Sequence, residues 1–163
     1  MTRKRAFEPV VDAGTRLLIL GSLPGDASLK AGQYYGHPRN AFWRLVGGVI
    51  GRDLAALPYD QRLAALRAAG IGLWDVVASA ERPGSLDAAI RRPEEADLRG
   101  LVAGLPALRA VAFNGGTAAR LGRAVLAGET GAELIDLPSS SPAHTRPYGE
   151  KAEAWGVLAR FLP

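Results

Sequence analysis

The sequence predicts an α/β fold of three layers, α/β/α, around a central four-stranded parallel sheet. Two observations carry that expectation. Four short apolar runs recur along the chain, separated by segments with helical spacing, and the runs are continuously apolar rather than alternating. Continuous apolar runs are what strands buried on both faces require. With 163 residues and 48% apolar content the chain can bury a substantial core. No internal repeat or low-complexity linker divides it, so residues 1–163 read as one domain.

Residues 16–20 form the first strand, closed by Gly21. Residues 40–51 form a helix, because Phe42, Leu45, Val46, Val49 and Ile50 fall at helical spacing and Asn40 stands where an N-cap belongs. Residues 60–69 repeat the pattern through Leu63 and Leu66, and Gly70 ends it. Residues 71–77 are the second strand, and 93–104 a helix through Leu98, Leu101 and Val102. Residues 109–113 are the third strand; Asn114-Gly115-Gly116 then opens a helix to about residue 126. Residues 133–137 are the fourth. After the loop 138–147 comes a last helix on which Trp155, Leu158, Ala159 and Leu162 share a face. Arg3, Lys4 and Arg5 suggest that residues 1–10 are a flexible basic arm adding nonspecific affinity for nucleic acid.

The formal charge of +4, from 20 basic and 16 acidic residues, is compatible with a polyanionic partner without demanding one. The absence of cysteine excludes disulfides, thiolate catalysis and Cys-ligated metals. His37 and His144 are the only histidines, so neither a metal site nor another cofactor is expected. No apolar run approaches a membrane span and no signal-type segment opens the chain; a cytoplasmic protein is the expectation.

In open α/β sheets, ligands bind beyond the carboxyl ends of the strands. Those ends carry GSLPG at 21–25, the segment 75–79, Asn114-Gly115-Gly116, and LPSSSPAHTRP at 137–147. The chemically loaded segments therefore gather on one rim. Turn glycines let backbone N–H groups approach a ligand, and the Tyr34-Tyr35 pair offers an aromatic face. Arg39 brings a charge for phosphate and Asn40 a directional amide. This combination suits a pocket that takes one base out of a nucleic acid.

Each segment also has a plainer reading. GSLPG serves as a strand-to-loop turn, and Ser139, Ser140 and Ser141 as a polar turn. From spacing alone, Asn40 is equally a helix cap or a catalytic amide; the roles are compatible, because capping uses the carbonyl oxygen and leaves the NH2 group free. Tyr34 reads as packing, Asp75 as an anchor for a neighbouring loop, and Asp87 as a cap for the turn that follows it.

The order GSLPG, YYGHPRNAFW, GLWDVV and LPSSSPA resembles the uracil-DNA glycosylase superfamily. Within it the chain is most similar to the hypoxanthine-DNA (deoxyinosine) glycosylase branch, family 6, and next to the mismatch-specific uracil/thymine glycosylases. The resemblance spans nearly the whole chain. It implies hydrolysis of the N-glycosidic bond of a deaminated base in DNA, leaving an abasic site, by a monomer. It assigns the catalytic amide to Asn40. Base binding falls to Gly21, Ser22, Leu23, Pro24, Gly25 and Tyr35, with Tyr35 as the stacking aromatic; Asn114, by its place before Gly115-Gly116, is equally a helix-entry turn or a base-binding residue at the pocket border. DNA binding falls to Arg39, Ser139, Ser140, Ser141 and the region Pro142, Ala143, His144 and Arg146, where relatives wedge into the duplex.

Two departures bear on mechanism. Leu23 stands where many relatives carry a water-activating Asp or Asn, and Leu137 where others carry a catalytic His. Catalysis would then rest on stabilising separated charge rather than on a strong base. With no Lys among the site motifs, hydrolysis without strand cleavage is expected. Uracil release of the mismatch-specific kind is the nearest alternative. A noncatalytic damaged-DNA-binding protein and a flavodoxin-like cofactor module are alternatives of other classes.

Overall fold

The structure, a computed structural model, describes residues 3–163. Its centre is a parallel sheet of β2 (Leu17–Gly21), β3 (Ile71–Asp75), β6 (Ala110–Asn114) and β7 (Glu133–Leu137), in the spatial order β3-β2-β6-β7. Leu17, Leu18, Ile19 and Leu20 are all fully buried, as a central strand covered on both faces demands.

The faces are told apart by alternation along the strands. Leu17, Ile19, Ile71, Leu73, Ala110 and Ala112 point into one core with Phe42, Leu45, Leu66, Trp155 and Leu158. These partners come from α2 (Phe42–Ile50), α3 (Tyr59–Ala68), α6 (Tyr148–Gly156) and the 3₁₀ turn Val157–Phe161. Leu18, Leu20, Val111 and Phe113 point into the other, against α4 (Leu98–Ala103) and α5 (Gly116–Leu126). The α/β/α sandwich around four parallel strands is the architecture the sequence predicts.

The direction of winding across the sheet reverses after β3. The β2–β3 crossover runs through α2 and α3 on one face, and the β3–β6 crossover returns past β2 through α4 on the other. Right-handed crossovers require such a change of face when the direction of winding changes. The switch point, where neighbouring loops diverge and leave a crevice, lies at the carboxyl ends of β2 and β6.

Several expectations are corrected. The second strand stops at Asp75; after Val76 the chain forms β4 (Val77–Glu81), which belongs to a separate antiparallel sheet ordered β1-β4-β5. The helix expected over 93–104 is confined to α4, because Pro93 to Glu95 lie in β5 (Arg91–Glu95), whose residues are all exposed and leave no apolar pattern. The basic arm is not free over its described residues. Arg3–Arg5 form β1 against Glu81, Ala80 and Ser79, and Val10 bridges Leu73. The positions 1–2 lie outside the described residues. On the last helix, Phe161 rather than the exposed Ala159 joins Trp155 and Leu158 in the core. A short helix that the sequence reading lacks, α1 (Asp26–Ala31), follows GSLPG.

Candidate active site

A cavity of about 490 Å³ opens at the switch point. Gly21 to Gly25 form one wall, Tyr34, Tyr35 and Asn40 another, and Ser139 to His144 a third, with Asp75 and Asn114 beneath. The structure thus brings together every expected base-binding residue, the candidate catalyst Asn40 and most of the expected DNA-binding segment. Arg39 and Arg146 do not line the cavity; both are exposed. Leu23 contributes an apolar wall, while Leu137 is buried in the core at the end of β7.

Asn40 is held by its own backbone and by the helix it precedes. Its N–H donates to the His37 carbonyl at 3.0 Å, and its Oδ1 accepts from the Phe42 N–H at 2.9 Å. Helix α2 starts at Phe42, two residues later than expected, so the side chain caps an orphan N–H from just outside the helix. Capping occupies the oxygen and leaves the NH2 group for a ligand.

The aromatic wall is layered. Tyr35 stacks on Phe42 with centroids 3.9 Å apart and planes at 14°, and Trp43 and Trp155 meet Phe42 edge-on. Tyr35 also has φ of +53°, a left-handed conformation uncommon for an aromatic residue, at the turn that brings its ring to the cavity. Tyr34 packs as expected: its hydroxyl donates to the Glu8 carbonyl at 2.8 Å, and its ring meets Phe7 edge-on.

Asn114 and Ser140 join the β6 and β7 sides. Asn114 Nδ2 donates to Ser140 Oγ and its Oδ1 accepts from the Ser140 N–H, both at 2.9 Å. The Ser140 carbonyl then accepts from Ala41 N–H at 3.0 Å, tying the serine loop to the Asn40 segment. Lys151 supports the same loop from α6. Its buried Nζ donates to the carbonyls of His144 at 2.8 Å and Ser141 at 3.3 Å. Burial, with Arg146 nearby, lowers its proton affinity.

One residue that supports the site escapes the sequence reading, and two others take roles it does not predict. Arg82, fully buried, donates to the carbonyls of Gly84, Leu23 and Pro24 and so fastens the GSLPG loop from behind. Nothing in its local pattern marks it. Asp87 accepts from Ser22 Oγ at 2.5 Å, a contact across 65 residues rather than a cap of the turn that follows it. Asp75 does not anchor a loop through its Oδ2, which is buried and has no hydrogen-bond partner. Its pKa is pushed up to about 7, first by burial and then by Asp87, with Arg82 opposing. The available signal was a carboxylate ending an apolar run, GLWDVV.

A family model described as the uracil DNA glycosylase superfamily matches residues 8–159. A Methanosarcina barkeri protein named hypoxanthine DNA glycosylase is 42% identical over 153 residues, covering 94% of this chain and 96% of the relative. One of the same name from Methanosarcina acetivorans is 43% identical over 157 residues, covering 96% and 98%. A solution NMR structure from Methanosarcina acetivorans, assigned provisionally as a uracil DNA glycosylase, superposes with a TM-score of 0.88 at 43% identity over 98% of both chains. The chain belongs to the uracil DNA glycosylase superfamily, and with it to the hydrolases that cleave N-glycosyl bonds.

Proposed function

We propose that this protein is a monofunctional DNA glycosylase that flips a deaminated base, hypoxanthine foremost, out of DNA and hydrolyses its N-glycosidic bond. The observation that carries the reading is the cavity, which combines an aromatic and apolar wall with the free amide of Asn40 at the switch point. Its volume of about 490 Å³ is in the range of small-ligand pockets. The name shared by the two Methanosarcina relatives supports hypoxanthine as the base.

One face of Tyr35 is covered by Phe42, so the extruded base stacks on the other. Leu23 packs against the base without competing for its polar groups. Asn40 stabilises the charge that develops as the bond from C1′ to the base breaks, and positions the water that adds to C1′. The hydroxyls and N–H groups of Ser139 to Ser141 hold flanking phosphates, and Pro142, Ala143 and His144 stand at the rim where the duplex is parted. Arg39 and Arg146, exposed beside the cavity segments, meet the DNA backbone. Among the described residues no lysine lines the cavity, and Lys151 Nζ is committed to loop carbonyls, which favours direct hydrolysis over a Schiff base.

The test is a single-turnover assay on duplexes carrying one hypoxanthine or one uracil, followed by alkali cleavage, with Asn40→Ala beside the wild type. Hypoxanthine release that depends on Asn40 is expected. Preferential uracil release would assign the mismatch-specific activity instead. Tight binding without release would leave a damaged-DNA-binding protein.

A further inference from the structure

Among the described residues, two buried side-chain polar atoms have no hydrogen-bond partner: Tyr35 Oη and Asp75 Oδ2. Both residues line the same cavity. They also converge on one point, because a Cβ at Gly21 would stand 2.7 Å from Asp75 Oδ1 and 2.9 Å from Tyr35 Oη. Unpaired buried polar groups are costly and rare, so two in one pocket call for a polar partner supplied by the ligand.

We propose that Asp75, in its protonated form, is the general acid that donates a proton to the departing base. This rests on the glycosylase reading above. The bond from C1′ to the base nitrogen breaks with its electron pair going to the base. The carboxyl O–H breaks as its proton moves to an acceptor nitrogen of the base, which leaves neutral. The water oxygen bonds to C1′, and the proton that water loses returns the carboxylate to its acid form. The charge balance closes without any further reactant.

The surroundings keep the carboxyl protonated. Asp87, in the 3₁₀ turn Asp87–Ala89, faces it as a like charge. Arg82, after β4, is the cation that opposes, but its guanidinium is spread over three loop carbonyls and forms no ion pair with Asp75. Tyr34 and Tyr35, from the loop after α1, face it as hydroxyls whose own ionisation burial holds far above the ordinary range. A carboxyl brought to about pKa 7 is matched to proton transfer near neutral pH. The role also answers the departures at Leu23 and Leu137, which leave the cavity without the polar catalysts found at those positions in relatives.

The experiment is the pH profile of single-turnover hypoxanthine release for the wild type and Asp75→Asn, with DNA binding followed by fluorescence anisotropy. The wild-type rate should fall tenfold per pH unit above about 7. Asp75→Asn should lose on the order of 10²-fold below that pH, lack the alkaline limb, and bind lesion DNA within several-fold of wild type. An Asp75→Asn rate equal to wild type with the limb intact overturns the proposal. Should that variant not fold, a wild-type rate flat from about pH 6 to about pH 9 overturns it instead. Failure of the wild type to release any base would refute the glycosylase reading itself, an outcome distinct from release that ignores Asp75.

Discussion

Asn114 and Ser140 hold each other through two hydrogen bonds of 2.9 Å, one in each direction, at the buried end of β6. The clasp converts a serine-rich loop, mobile by composition, into a fixed wall of the cavity. Asn114→Ala would strand the buried Ser140 N–H and release that wall. We expect a stability loss of about 1–3 kcal/mol and a larger proportional fall in base release, seen by comparing thermal melts with single-turnover rates. A loss of stability with full activity would show that the loop holds its place without the clasp.

Gly21 is where the strand passes the two unpaired groups. A methyl at this position would overlap Asp75 Oδ1 and Tyr35 Oη, both ends of side chains that can move. Gly21→Ala should therefore fold, at a cost of about 1–3 kcal/mol, while displacing both groups from the cavity. Base release should fall by an order of magnitude or more, measured on protein shown by circular dichroism to be folded.

Asp75 also makes a statement about stability. Its folded pKa of about 7 lies above the ordinary 3.8, so the folded protein holds a proton there that the unfolded chain releases first. Stability from this group is full below about pH 4 and is lost as pH rises toward and through 7. Asp75→Asn should consequently be the more stable protein at pH 8, by on the order of 4 kcal/mol, and the difference should shrink toward pH 4. Urea titrations at the two pH values decide it; a variant less stable at pH 8 would mean the carboxylate is compensated. A residue that costs stability at neutral pH while facing the cavity fits the common trade between stability and function.

Lys151 Nζ binds the carbonyls of Ser141 and His144 from inside the fold. Lys151→Met keeps the apolar stem and removes the tether. The loop should then exchange its amide hydrogens faster, and KM for lesion duplex should rise about tenfold, more than kcat falls. Equal effects on both constants would place Lys151 in the chemical step.

The N-terminal strand separates a structural role from a DNA-binding one. Arg3 donates to Ser79 and to the Arg92 carbonyl, and Lys4 pairs with Asp26. Deleting residues 1–5 should destabilise the β4–β5 hairpin and lower the melting temperature by several degrees, on the scale of about 2–4 °C per kcal/mol for a domain of this size. Unchanged stability with weaker DNA binding would restore the reading of a free basic arm.

The local patterns were enough for the central sheet. Four continuous apolar runs encode strands buried on both faces, and helical spacing at Phe42, Leu45 and Val46 encodes the covering layer. The small antiparallel sheet was not legible because β5 reads Arg-Arg-Pro-Glu-Glu, whose exposed residues carry no period. Its pairing comes from β4, a partner supplied by the fold.

The site divides along the same line. Glycine turns, the tyrosine pair and the Asn before an apolar helix are local chemistry, so the sequence by itself determined which loops form the rim and named Asn40, Tyr35 and Asn114 among its members. Only the tertiary structure decided what became of Asp75, Arg82 and Asp87, because burial, pairing and pKa depend on groups brought from distant parts of the chain. Ser22 meets Asp87 across 65 residues, and Arg82 reaches Leu23 across 59. A carboxyl's proton affinity is set by the dielectric and charges around it, and those exist only once the chain has folded.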